Sequence, residues 1–359
     1  MLLKIFSYFD KLFTLNYFKL IDFRFFIAFF ITFVTVLLVG GEVIKFMKKI
    51  QYLGHPIRID GPKKHIIMKN GTPSMGGVFI IFIVLTTTMF LVDKKNLYIW
   101  ILIVTIVIFG IIGLLDDLKK FLDNTSKGIT FKIKFLIELI LSILLMIATS
   151  ILHNNFNTIV TIPFFKNFII DFGFFYYIFI AVVVIGSSNA VNLTDGLDGL
   201  VSMPLITICC FLTLLIYITK NIIFTKYNKI FYFENINEIM IVCMALAGSC
   251  LAFLWFNAPQ AMIFMGDVGS LSFGSIIGII SIIIKQELML LIISFIFVIE
   301  TMSVLIQIIS FKVFKRKVFL MSPIHHHFEH LKWKESVIVI RFWILSIIFF
   351  ILGLISLKN

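Results

Sequence analysis

Asp116 and Asp117 stand side by side in "LLDDLKK", with Lys119 and Lys120 directly behind them. Asn192, Asp195 and Asp198 recur at every third position of "NLTDGLDGL", so one helical face would carry all three. "FNAPQAMIFMGDVGS" brings Asn257, Phe264, Asp267 and Ser270, and "KNGTPSMGG" brings Lys69 and Ser74. "SPIHHHFEH" sets His325, His326 and His327 in a row between Pro323 and Glu329. Carboxylates, amides and hydroxyls are hard oxygen donors of the kind that hold Mg²⁺ or Mn²⁺, while lysine and imidazole suit phosphate. The set fits phosphoryl transfer assisted by a divalent cation. Zinc hydrolysis fits less well, because it asks for three close ligands and an open position, and HEXXH is absent. Cys209, Cys210, Cys243 and Cys250 lie in apolar runs without a zinc spacing and read as reduced core residues.

Each cluster also has a plainer reading. Two carboxylates at a helix C-terminus oppose the macrodipole, and Lys119 and Lys120 would neutralise them locally. "NLTDGLDGL" doubles as an Asx-rich turn capping the helix behind it. Asp267 doubles as a helix N-cap, although free N–H groups there also suit phosphate. "GTPSMGG" resembles a phosphate cradle but lacks the Gly-Lys-Ser/Thr of a Walker A loop. Adjacent helical residues point about 100° apart, so three consecutive imidazoles cannot converge on one metal. The set decides more than any member.

What positions these residues must be membrane helices. The chain has 359 residues, 60% hydrophobic and only 14% charged, with mean hydropathy +1.08. Soluble domains carry about 25% charged residues. Apolar runs fall at 24–46, 75–92, 97–115, 132–152, 174–191, 199–219, 238–256, 268–285, 288–311 and 336–356. Runs of about 20 residues cross a hydrocarbon core of about 30 Å, and the alternation of a barrel is missing. The expected class is all-α: one polytopic integral membrane domain of about ten transmembrane helices. Span 268–285, short and glycine-rich, is the weakest of them. Residues 1–23 read as an interfacial helix, not a cleaved signal peptide.

Net charge is +12, which follows the positive-inside rule and not nucleic-acid binding. Loops 47–74, 116–131 and 312–335 are richer in basic residues than the even-numbered loops, so the odd-numbered loops are expected in the cytoplasm and both termini outside. All five polar clusters fall in odd loops. Solvated loop polarity would not choose one side so consistently; a composite site would.

The five motifs, in order, resemble those of the polyprenyl-phosphate N-acetylhexosamine-1-phosphate transferase superfamily. The triple histidine is similar to that of its phospho-N-acetylmuramoyl-pentapeptide transferase branch. The resemblance covers nearly the whole chain; Ser74 stands where the family commonly has Thr, and the hydroxyl is kept. It implies a multi-pass protein of the bacterial inner membrane, a homodimer with its site on the cytoplasmic face. It also implies a reaction: undecaprenyl phosphate attacks the β-phosphate of UDP-N-acetylmuramoyl-pentapeptide, giving UMP and lipid I. Roles follow by the same resemblance. Asp267 is the Mg²⁺ ligand, with Asn192 a second candidate and Mn²⁺ an alternative ion. Asp116 takes a proton at the lipid phosphate, with Asp117 beside it. Asn192, Asp195 and Asp198 line the nucleotide and metal region, and Asn257, Phe264 and Ser270 hold uridine and phosphates. His325 and His326 donate to the sugar-diphosphate end, while His327 and His330 are left to packing or solvation. Lys69, Ser74 and Lys120 contact phosphate and lipid head, and Gln307 is a further pocket residue. The residues permit both direct attack and a covalent aspartyl-phosphate; direct attack is the preferred route.

Two other functions compete. One is a relative using a different UDP-N-acetylhexosamine. The other is an ion-coupled transporter, whose acids would lie near mid-span; Glu300 is the clearest acid of that kind.

Overall fold

A computed structural model describes residues 21–52, 54, 69, 71–152, 158–221, 225, 231 and 235–358. The expected interfacial helix at 1–23 lies almost wholly outside these residues. Helix α1 spans Ile21–Ile50, α2 Gly77–Leu91, α3 Leu97–Leu122 and α4 Phe131–Leu152. Strands β1 (Ile159–Ile162) and β2 (Phe165–Asp171) follow. Then come α5 (Phe175–Thr194), α6 (Ser202–Thr219), α7 (Ile239–Asn257) and α8 (Gly266–Ile283). The chain ends with α9 (Glu287–Ile293), α10 (Phe295–Phe314), α11 (Ile324–His330) and α12 (Glu335–Lys358). Among the described residues, eight helices (α1, α3, α5, α6, α7, α8, α10 and α12) are long and apolar enough to cross a membrane, and the shorter α2 is also apolar. With α4, they fill all ten expected spans.

Helix α8, the span that looked weakest, is the centre of the bundle. Every residue from Val268 to Ile283 is buried. It packs between α3 and α5. Two hydroxyls cross these contacts, Ser188 Oγ donating to Leu271 O at 3.0 Å and Ser272 Oγ to Ile106 O at 3.1 Å. Small and hydroxylated residues hold membrane helices together where lipid offers no hydrophobic drive. The glycine and serine content that weakened the span as a sequence signal is what lets two helices close on it.

Two features depart from the expected plan. The ninth span is two helices, α9 and α10, parted at Ser294. Loop four holds an antiparallel hairpin, β1 with β2, pairing Ile159 with Asp171 and Val160 with Ile170. β-branched residues dominate "IVTI", a strand-forming composition overlooked among the apolar spans. The hairpin packs against α9, at the end of the bundle away from the five motifs.

Because successive helices run in opposite directions, the odd loops gather at one end. The C-termini of α3, α5 and α7 and the N-termini of α4, α8 and α12 meet there. Gly113 in α3 faces the Asp267 carbonyl so closely that a Cβ would stand 2.3 Å from it, so α3 brings its C-terminal acids directly onto the start of α8.

Candidate active site

The last turns of α3 and the first turn of α8 bring three carboxylates together. One oxygen each from Asp116, Asp117 and Asp267 lies within 4.8 Å of the others. Lys120, one turn beyond the pair, places Nζ 2.7 Å from Asp116, 3.1 Å from Asp267 and 3.7 Å from Asp117. Lys134, in the first turn of α4, puts Nζ 3.0 Å from the same Asp267 oxygen. Three negative charges thus face two positive ones in a largely buried space.

Partners already engage part of this cluster. Asp116 Oδ1 accepts the Ile129 N–H at 2.6 Å, and Asp117 Oδ2 accepts the Val268 N–H at 3.3 Å. Asp117 Oδ1 is buried and accepts no hydrogen bond among the described residues; it faces only the Lys120 Nζ at 3.7 Å, and the residue is only 1% exposed. A buried carboxylate oxygen without a hydrogen bond is costly unless something else uses it. An Mg²⁺ fits: the donors are all oxygens, they converge, and one of them is open.

Loop five and the α8 N-terminus close the cluster from the other side. Asn192 Nδ2 donates to Ser270 Oγ at 2.9 Å, next to Asp267. Asp195 lies beside the Gly266 backbone. Desolvation, then the Asp267 and Asp117 charges, holds its carboxyl well above the ordinary value of 3.8. Gly266 has φ +77°, and a Cβ there would lie 2.5 Å from Asp117 Oδ2. Only glycine turns the chain that tightly into α8.

A second group lies around Lys69. Its Nζ is 2.7 Å from Asp198 and 2.7 Å from Glu335, and 5.8 Å from the centre of the Phe264 ring. Burial alone would lower the Lys69 ammonium, but Asp198 and Glu335 outweigh it and hold it above 10.5. Asp198 Oδ2 accepts the Ala261 N–H at 3.0 Å, and Asn257 Oδ1 accepts the Gly199 N–H at 3.0 Å. These bonds fasten loop five to loop seven. Loop one joins the same set: Phe264 N–H donates to Pro73 O at 2.9 Å, and Ser74 N–H to Gln51 Oε1 at 2.8 Å.

The histidines divide. His325 is fully buried, its Nδ1 3.0 Å from Glu300, and a Cβ on Gly196 would lie 2.4 Å from its Nε2. It therefore sits directly against loop five, next to Asp195. His326 Nδ1 shares a 2.6 Å hydrogen bond with Glu329, and Leu320 N–H donates to His327 Nδ1 at 3.2 Å. Gln307 stands apart: its amide accepts from Val318 and Phe319 N–H and donates to Phe319 O, holding the strap before α11.

Several residues of this end escaped sequence reasoning. Lys134 and Glu138 interrupt an apolar run at helical spacing, and that spacing is their one signal in the sequence. Glu138 is buried and accepts from Asn189 Nδ2 at 2.6 Å. Glu300, read as a mid-span acid, turns out to be the neighbour of His325, and Glu335 carries no motif at all.

Comparisons with known proteins give the chain a family. Residues 99–285 match the model of glycosyl transferase family 4. Residues 69–81 match phospho-N-acetylmuramoyl-pentapeptide-transferase signature 1. The chain is 46% identical over 344 residues to the phospho-N-acetylmuramoyl-pentapeptide-transferase of Rickettsia prowazekii, covering 96% of this chain and 95% of that protein. Its counterparts from Rickettsia canadensis and Rickettsia felis show the same identity and coverage. The chain belongs to glycosyl transferase family 4 and, within it, to the phospho-N-acetylmuramoyl-pentapeptide transferases.

Proposed function

We propose that this protein transfers phospho-N-acetylmuramoyl-pentapeptide from its UDP carrier to undecaprenyl phosphate. An oxygen of the acceptor phosphate forms a bond to the donor's β-phosphorus. The bond from that phosphorus to the bridging oxygen breaks, and UMP leaves with the electron pair. The product is lipid I. The observation that carries the reading is the convergence of Asp116, Asp117 and Asp267 with Lys120 and Lys134 at one end of a membrane bundle.

Asp267, the open oxygen of Asp117 and the Asn192 amide are the groups to hold Mg²⁺. Bound there, the ion would neutralise charge on the diphosphate. Lys120 and Lys134 exchange their carboxylate contacts for phosphate oxygens as substrates enter. Asp116, beside Asp117, receives the proton that the acceptor phosphate carries. Lys69, expected at the phosphate and lipid head, stands beside Asp198 and the Phe264 ring and so joins them and Asn257 at the uridine end, with Ser74 and Ser270 nearer the phosphates. Glu300 stands beside His325 Nδ1, and Nε2 faces loop five and the sugar-diphosphate. Nothing here requires a covalent intermediate; catalysis is positioning and charge neutralisation. The basic loops support a cytoplasmic face for this end, with both termini on the far side of the inner membrane.

The test is release of labelled UMP. Purified protein should release it from UDP-N-acetylmuramoyl-pentapeptide only when polyprenyl phosphate and a divalent cation are both present. Release from UDP-N-acetylglucosamine instead would shift the assignment to another branch. Cation flux without UMP would revive the transporter.

A further inference from the structure

Glu335 is the first residue of the last helix and belongs to none of the five motifs. Its Oε1 lies 2.7 Å from Lys69 Nζ and accepts the Asp198 N–H at 2.9 Å. One carboxylate oxygen therefore ties loop one to loop five. A second tie comes from the same helix two turns later, where Trp343 Nε1–H donates to Gly199 O at 3.2 Å. Leu197 and Leu200 of loop five also pack in one cluster with Ile338, Val339 and Phe342 of α12. Three kinds of contact, ionic, hydrogen-bonded and apolar, thus hold loop five to one face of α12. The acid also suits its place, since a helix N-terminus favours negative charge.

We propose that Glu335 is a positioning residue for the nucleotide end of the donor, and that α12 sets the affinity of that end. This deepens the function proposed above and rests on it. Lys69 has two carboxylate partners, and Asp198 stands on the loop that also carries Asp195. Without Glu335, the Lys69 ammonium leans on Asp198 alone and the Asp198 N–H loses its acceptor. Lys69 then shifts relative to the Phe264 ring, and a preorganised pocket becomes one that each donor molecule must order. The acid cluster at Asp267 has its own supports on α3, α4 and α8, so the chemical step is spared. The effect should fall on donor binding.

Steady-state kinetics and direct UMP binding test this together. Glu335→Ala should raise the donor KM about 10-fold and weaken UMP binding by a similar factor. Its kcat should stay within about threefold, and the KM for polyprenyl phosphate should not move. Glu335→Gln, which keeps an acceptor for the Asp198 N–H, should fall between wild type and Ala. Trp343→Phe should shift donor KM in the same direction by about two- to threefold, and it serves if Glu335→Ala does not fold. Unchanged UMP affinity and donor KM in the variants, with only a lowered Tm, would show a merely structural role and overturn the proposal. So would an equal rise in both KM values. A wild type that binds UMP but transfers nothing sinks the transferase reading instead, while the UMP-binding comparison still decides the role of Glu335.

Discussion

The two ends of the bundle handle buried charge differently. Away from the motifs, Arg24 grips Glu238 with both terminal nitrogens, at 2.6 and 3.1 Å, and donates to Leu91 O as well. Nearby, the Tyr176 hydroxyl bonds Glu287 while Lys285 lies 3.7 Å over the tyrosine ring. There an acid meets a cation or a hydroxyl, and the contacts tie one helix end to the next. At the motif end, three carboxylates crowd together, the only such group among the described residues. Like charges held that close destabilise the fold unless a cation or substrate offsets them. One end is built to be stable and the other to be used.

That contrast can be broken most severely at Asp267. Asp267→Asn keeps the shape but removes the charge that Lys120 and Lys134 grip, and UMP release should fall at least about 1,000-fold. Near-normal turnover would remove Asp267 from the mechanism. A smaller effect, of opposite sign for stability, is expected at Asp195. Its carboxyl is held above 3.8 in the folded protein, so folding binds a proton the unfolded chain has lost, and stability falls as pH rises through that window. Asp195→Asn escapes this cost. It should raise Tm by a few degrees at pH 7, lose that advantage near pH 3.8 and below, and still lower activity about 10-fold. A variant less stable than wild type at pH 7 would contradict this. The smallest effect on activity belongs to Tyr176→Phe at the far end. It strips a buried Glu287 of a donor and should cost about 1–3 kcal/mol of stability, while turnover stays within about twofold. If that change cost activity as Asp267→Asn does, the two ends would not be separable.

Much of this was legible in the sequence because membrane helices announce themselves by length and alternate loops by side. The five motifs report their common location through that alternation alone. What stayed hidden has physical reasons. Glu335 lies in a loop that reads as solvated, and only tertiary packing turns it inward to Lys69. Lys134 meets Asp267 from 133 residues away, a pairing that no local pattern encodes. The break at Ser294 leaves no Pro or Gly to mark it, so 288–311 reads as one continuous span. The roles of the three histidines were separable only in part: spacing excluded a shared metal, but burial of His325 against Gly196 needed the fold.

Binding of Mn²⁺, followed by electron paramagnetic resonance on purified protein, tests the central claim most directly. The account predicts one tight site per chain in wild type and in Tyr176→Phe, lost in both Asp267→Asn and Asp117→Asn. A site that survives both aspartate changes, or wild type that binds no ion even with UMP present, would contradict it.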